Sequence, residues 1–143
     1  MTTAENPTDT RTLPAPTVWP GLQAHDARAL IDWLVNTLGF EETAVYEDEN
    51  GKIAHAQLDW PEGGGIMLGD HKPGGQWCRE PGTSGAYVVT DHVDDLYERV
   101  VATGANIVRP LADQDYGNRE FAVADPEGNL WSFGPYRGEP RKR

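Results

Sequence analysis

Apolar and polar positions alternate over a short run, then apolar ones recur three and four apart, then alternation returns, and the whole succession occurs twice. In the first pass Thr17–Ala24 alternates and reads as a strand. Leu30, Trp33, Leu34, Thr37 and Leu38 then share one helical face, with Asp26 placed as N-cap and Gly39 as the stop. Three more strands are predicted over Glu41–Tyr46, Ile53–Trp60 and Gly65–Gly69, with Asn50-Gly51 as a hairpin turn. The second pass offers a strand over Ser84–Thr90 and a helix with Val93, Leu96, Tyr97, Val100 and Val101 on one face. Asp91 is its expected cap, Asp94 occupies the capping-box position and Gly104 ends it. Strands over Asn106–Pro110, Arg119–Asp125 and Leu130–Phe133 follow, so each pass reads β-α-β-β-β.

The passes are copies. Pro61-Glu62-Gly63 lies over Pro126-Glu127-Gly128 at an offset of 65, and the same offset pairs Asp26 with Asp91 and Gly39 with Gly104. This predicts an α+β protein whose first module spans residues 17–71 and whose second spans 83–136, with the Gly- and Pro-rich segment 72–82 as linker. Residues 1–16 read as a disordered tail, and residues 137–143 as a basic one. Neither module is large enough to bury a core by itself.

Charge narrows the partners. The net charge is −11, and Arg137, Arg141, Lys142 and Arg143 fall in the last seven positions beside one acid, Glu139, so residues 1–136 hold eight bases against 22 acids. Such a body repels phosphates, which excludes a nucleic-acid partner. One cysteine, Cys78, permits no intrachain disulfide and fits a reducing compartment. No apolar run has bilayer length, so no membrane partner is expected and a cytoplasmic location is.

Leu38-Gly39-Phe40 at the end of the first helix, and Asp125-Pro126-Glu127-Gly128-Asn129 followed by Trp131, placed in paired βαβββ units, resemble the vicinal oxygen chelate superfamily. That group holds glyoxalases, bleomycin resistance proteins and extradiol dioxygenases. Tyr116-Gly117-x-Arg119 resembles its glyoxalase-like and bleomycin-resistance-like branches more than the classical glyoxalases. The resemblance, over roughly residues 17–136, implies curved mixed sheets around a cleft, in which His and Glu from the first and last strands of each module commonly hold a divalent metal. It also implies a homodimer.

Strand alternation assigns the faces. Val18, Pro20, Leu22, Ala24, Ala54, Ala56, Leu58, Trp60, Ile66 and Leu68 should pack inward in the first module, as should Phe121, Val123, Trp131 and Phe133 in the second. Trp19, Gly21, Gln23, His55, Gln57, Asp59, Met67, Glu120, Ala122 and Ser132 should face the cleft. The metal positions that the resemblance implies fall on Trp19, Met67, Ser132 and Ser84, or Ala86 if the strand slips by two. None supplies imidazole or carboxylate, so no cofactor is expected, a displaced divalent metal being the alternative. Metal-dependent glyoxalase I or extradiol dioxygenase chemistry then loses its Lewis acid.

Two functions stay open. One is a metal-independent small-molecule binder similar to the bleomycin-resistance type, possessing an acidic, aromatic cleft in which Trp19, Gln57, Asp59, Met67, Ser84, Tyr116 and Ser132 touch a cationic or aromatic ligand. The other is a lyase or isomerase, with or without a displaced metal, in which His55 and Glu120, themselves 65 apart, act as acid and base. Asp113 and Asp115 could add rim charge, and Trp77 a ligand contact. His25-Asp26 is better used as a cap than as a metal dipeptide, and Gly63-Gly64-Gly65 as a turn than as a phosphate loop.

Overall fold

Asp26 begins the first helix as its composition predicts, its carboxylate accepting the Ala29 amide at 3.1 Å. The computed structural model describes residues 14–142, so most of the predicted N-terminal tail, and Arg143, lie outside the described residues. The first module runs β1 (Gly21–Ala24), α1 (Ala27–Trp33) with a π-helical continuation over Leu34–Leu38, β2 (Glu41–Glu47), β3 (Ile53–Asp59) and β4 (Gly65–Asp70). The second runs β5 (Gly85–Val89), α2 (Val93–Ala102), β6 (Asn106–Asp113), β7 (Arg119–Ala124) and β8 (Leu130–Gly134). Each builds a four-stranded mixed sheet, ordered β1-β4-β3-β2 and β5-β8-β7-β6, in which the first and last strands of the module pair in parallel. This is the expected pair of βαβββ modules.

The offset between modules is not constant, and the reason is local. Leu22 sits opposite Leu68 in the first sheet, whereas Val88, not Tyr87, sits opposite Phe133 in the second. The helix caps shift likewise, from Asp26 to His92 instead of Asp91. The early part of each module is therefore related by 66 positions, and the part from Gly39 and Gly104 onward by 65. The first module holds one extra residue within its helix, and the π-helical turn Leu34–Leu38 absorbs it without rotating the buried face. Arg99 on α2 then donates to the carbonyls of Val35 (3.2 Å) and Asn36 (3.1 Å), placing a cation at the helix C-terminus. Gly39, at φ 94°, ends the turn beneath that guanidinium.

Several local expectations change. Asp91 pairs with Arg137 at 2.7 Å and Asp94 with Arg119 at 2.7 Å, so neither caps α2; the Thr90 hydroxyl accepts the His92 amide instead. Val101 is exposed. Because β1 starts at Gly21, Val18 (82% exposed) and Pro20 never enter the alternation. Ala54 is exposed and Ile53 buried, since a bulge opposes Tyr46 to His55 but Glu47 to Ile53, leaving Ala54 as the extra residue. Beyond that bulge the predicted faces hold: Ala56, Leu58 and Trp60 are buried, while His55, Gln57 and Asp59 are partly exposed on the other side.

Both sheets turn one face to a single core. Phe40 packs on Trp60 and Trp131, Trp60 on Phe133, and Phe121 on Phe133 and Tyr97. Repeat-related glutamates cross between modules: Glu62 accepts the Asp91 amide at 2.9 Å, and Glu127 accepts those of His25 (2.9 Å) and Asp26 (3.0 Å). The modules thus pair within the chain. Among the described residues no helix is long and apolar enough to cross a membrane.

Candidate functional site

The face of each sheet away from the core is open, and each forms its own groove. The groove on the first sheet, about 450 Å³, is lined by residues between Trp19 and Arg79, among them Gln23, His55, Met67 and Trp77. Its aromatic wall is set by local packing. The Trp19 indole donates to the Pro16 carbonyl at 3.0 Å and lies so close to the start of β4 that a Cβ on Gly65 would stand 2.8 Å from its ring. Gln23 holds the linker across β1, donating to the Trp77 carbonyl at 2.7 Å and accepting the Arg79 amide at 3.4 Å. Trp77 is thereby presented to solvent, 85% exposed. His55 stacks on Tyr46, while Asp59, at the end of β3, accepts the Thr43 hydroxyl and the Gln57 amide.

The groove on the second sheet, about 500 Å³, is lined by Tyr87, Val108, Arg109, Ala122, Leu130 and Ser132. Beneath it lies Glu120, its side chain only 4% exposed. Its carboxylate accepts the hydroxyls of Tyr87 (2.9 Å) and Tyr116, and faces Arg109 Nη2 at 3.5 Å. Arg109 Nη2 also donates to Ser132 Oγ at 3.3 Å. Gly134 makes room for this cluster, since a Cβ there would collide with the Tyr87 hydroxyl and approach Glu120 Cγ to 2.6 Å. Tyr87 is partly exposed, but its hydroxyl sits between Glu120 and the Tyr136 amide, which donates to it at 3.2 Å. Desolvation, reinforced by Glu120, pushes that hydroxyl up to about 12, and the bond donated to Glu120 raises Tyr116 as well.

A raised folded-state pKa contributes stability that is complete below the unfolded value of 10.0 and lost as pH climbs through about 12. Stability should therefore fall across that window, and Tyr87→Phe should flatten the fall. Phenolate absorbance during an alkaline titration, read beside unfolding midpoints, checks this; identical titrations of the two proteins would refute it.

The sequence-predicted residues divide between the open sides of the two sheets, and of them Trp19, His55 and Met67 line the first groove and Ser132 the second. Trp19, His55, Gln57, Asp59 and Met67 belong to the first sheet's open side, and Tyr116, Glu120 and Ser132 to the second module's. Among the described residues His55 and Glu120 share no hydrogen bond or ion pair. Glu120 is buried under the second face, not laid on it. Ser84 lies apart: its amide is held by Asn129 Oδ1 at 3.0 Å, and the 66-residue relation makes Gly85 the counterpart of Trp19. The donor set at the implied metal positions is therefore an indole, a thioether, a glycine and one hydroxyl, which does not fit a divalent ion. Among the described residues no group of three or more His, Cys, Asp or Glu side chains is placed to hold one elsewhere. The charge along the two grooves is mixed. The acid that lines the first groove is Asp70, and both its oxygens are taken by the amides of Ala27 (2.9 Å) and Ile53 (2.7 Å), while Lys72, Arg79 and Arg109 bring positive charge to the two walls.

Arg109 and Tyr87 had no part in the sequence reading. Arg109 lies opposite Ala122 and Tyr87 opposite Ser132, so both share the open face with residues that alternation did place there. Cross-strand register was the missing signal, hidden by the one-residue shift in β5 and by the bulge between Arg109 and Ala112, where Pro110 is tolerated on an edge strand.

The Asp125-Pro126-Glu127-Gly128-Asn129 segment explains its own composition. Asp125 Oδ1 accepts the amides of Glu127, Gly128 and Asn129 at 2.9, 2.9 and 3.0 Å, and Oδ2 accepts Asn129 Nδ2 and Trp131 Nε1, both at 2.9 Å. One buried carboxylate organises the β7–β8 turn. With this turn and the paired βαβββ sheets in view, a match of residues 17–133 to a single described family carries weight. The chain belongs to the Glyoxalase/Bleomycin resistance protein/Dioxygenase superfamily. Within it, the chain is 35% identical over 128 residues to the uncharacterized protein Mb0911c of Mycobacterium bovis, covering 83% of this chain and 82% of that one. Among solved superfamily folds it is similar to TioX from Micromonospora sp. ML1, with 35% identity, a TM-score of 0.69, and coverage of 80% and 94%. A superfamily member from Sphaerobacter thermophilus shares the fold at 24% identity and a TM-score of 0.67, with coverage of 86% and 98%.

Proposed function

We propose that this superfamily member is a metal-independent binding protein that sequesters a flat aromatic small molecule in the open grooves of its sheets. The observation that carries the reading is Trp77, an indole left 85% exposed at the edge of a groove that also contains Trp19 and Met67. An unpacked tryptophan held in place by two bonds from Gln23 to its loop is suited to stack on a ligand. The first groove is built from the first module and the linker and the second from the second module, so a second copy, setting its second-module face against the first-module face of this chain, would enclose the ligand in a homodimer. One free cysteine and the acidic body fit a cytoplasmic home. The lyase or isomerase reading has less behind it, because Glu120 is buried and already accepts from two tyrosines and Arg109, and it shares no hydrogen bond or ion pair with His55 among the described residues.

A thermal-shift and tryptophan-quenching panel of flat aromatic compounds, run beside sedimentation velocity and elemental analysis, tests the proposal. Stabilisation by one chemical series, weakened in Trp77→Ala, is the expected result. Stoichiometric retained metal, or no stabilisation by any compound, would overturn it.

A further inference from the structure

We infer that the groove on the second sheet selects ligands bearing an anionic group, a carboxylate or a phenolate, and that Arg109 is its anchor. The inference rests on the binding-protein reading and names the ligand chemistry of the same site.

The distribution of cations in an acidic chain is the starting point. Between residues 14 and 136, Arg28 is paired with Asp32 and Glu42, Arg119 with Asp94 and Asp113, and Arg99 is spent on two helix carbonyls. Lys52 lies in the β2–β3 turn, and Lys72, Arg79 and Arg109 line the open grooves. Of these, Arg109 is the one with a built environment. Its Nη2 alone is engaged, with Glu120 at 3.5 Å and Ser132 at 3.3 Å, leaving Nη1 and Nε without a hydrogen-bond partner among the described residues.

Glu120 does not compete with a ligand for that free edge. Its side chain is 4% exposed against 44% for Arg109, and its oxygens are shared with the Tyr87 and Tyr116 hydroxyls. A molecule in the groove therefore meets the guanidinium and not the carboxylate. The buried acid fixes the orientation of the arginine from below, and the tyrosine hydroxyls cover its oxygens. Ser132 adds a hydroxyl donor beside the guanidinium, a pairing suited to two-point recognition of a planar anion. Val108, Ala122 and Leu130 supply the apolar remainder of the wall, with Val108 and Leu130 about half exposed. A flat hydrocarbon body with one acidic group satisfies both parts. A cationic ligand would be set against Arg109 here, and against Lys72 and Arg79 across the first groove.

The test uses three probes of one shape on the full chain: 2-naphthoate, 2-naphthamide and 2-naphthylmethylammonium, by isothermal titration calorimetry at low and moderate salt. Naphthoate is expected to bind about ten-fold or more tighter than the amide, as a charge-assisted contact allows, with the ammonium weakest and the advantage shrinking as salt rises. Arg109→Gln should abolish the naphthoate preference, so that naphthoate and the amide bind this variant equally. The ranking in the native chain does not depend on how well that variant folds. Equal or tighter binding of the amide or the ammonium would overturn the anion preference yet leave an aromatic binder standing. A naphthoate preference that survives Arg109→Gln would overturn the anchor. Failure of all three probes, together with failure of the wider aromatic panel, would remove the binding-protein reading itself.

Discussion

Asp125→Ala should cost about 3–5 kcal/mol of stability, because five donors converge on a carboxylate that is 5% exposed and most would be left without a partner. Three are consecutive backbone amides that the Pro126 turn aims inward; the others are the side chains of Asn129 and Trp131, each nearly fully buried. Asp125→Asn should recover little, since its amide nitrogen would face donors on one side. The damage should spread, because Asn129 also holds the Ser84 amide at the entry to β5. Urea unfolding of the variants at neutral pH reads the effect as a lowered midpoint at unchanged slope. A loss below about 1 kcal/mol would mean that the turn's own backbone bonds, from Asp125 N to Asn129 O (2.9 Å) and Gly128 N to Asp125 O (3.0 Å), suffice to hold it.

Trp60 occupies the corresponding place in the first module, 65 residues earlier, and does different work. It reaches out of its own module: the indole donates to the Val89 carbonyl at 2.9 Å and packs on Phe133, as well as on Phe40. Trp60→Ala should cost about 3–5 kcal/mol through the cavity left among those rings. Trp60→Phe, which keeps an aromatic ring but strands the Val89 carbonyl, should cost about 1–2 kcal/mol. Because Trp60 joins the modules, the alanine variant should also lose coincidence between unfolding followed by near-UV and by far-UV circular dichroism. If both variants unfold as cooperatively as the native chain, the glutamate crossings through Glu62 and Glu127 carry the coupling instead.

These two positions show how far a repeat can be read. The turns after β3 and β7 have the same place and the same Pro-Glu-Gly start, and their glutamates do the same thing in opposite directions. The residues just before those turns have diverged, one tying its own loop and the other crossing to its partner module. An offset of 65 finds such pairs where chain length is conserved, as from Gly39 and Gly104 onward. It misleads where one module has an extra residue, which is why Asp91 and Ser84 received roles that belong to His92 and Gly85.

The charge of the grooves was legible only in part. Composition reports an acidic protein, and averaging that charge over the surface predicts an acidic cleft. Packing decides the local arrangement: Asp70 is tied to two amides, Asp59 to Thr43 and Gln57, and Glu120 is buried under two tyrosines and an arginine. Arg109, Lys72 and Arg79 thus line the groove walls beside a single acid, Asp70.

By itself the sequence determined the two βαβββ modules, the cap at Asp26, the stop at Gly39 and the buried faces of β4, β7, β8 and of β3 beyond its bulge, because these depend on periodicity and on backbone preferences that act over a few residues. The tertiary structure decided the rest. Cross-strand register brought Arg109 and Tyr87 beside Ser132, a π-helical turn absorbed one residue and shifted the early part of the repeat, and the shared core left each open face on its own module. Such outcomes follow from pairings between residues far apart in the chain, where a single bulge or one extra residue redirects every side chain beyond it.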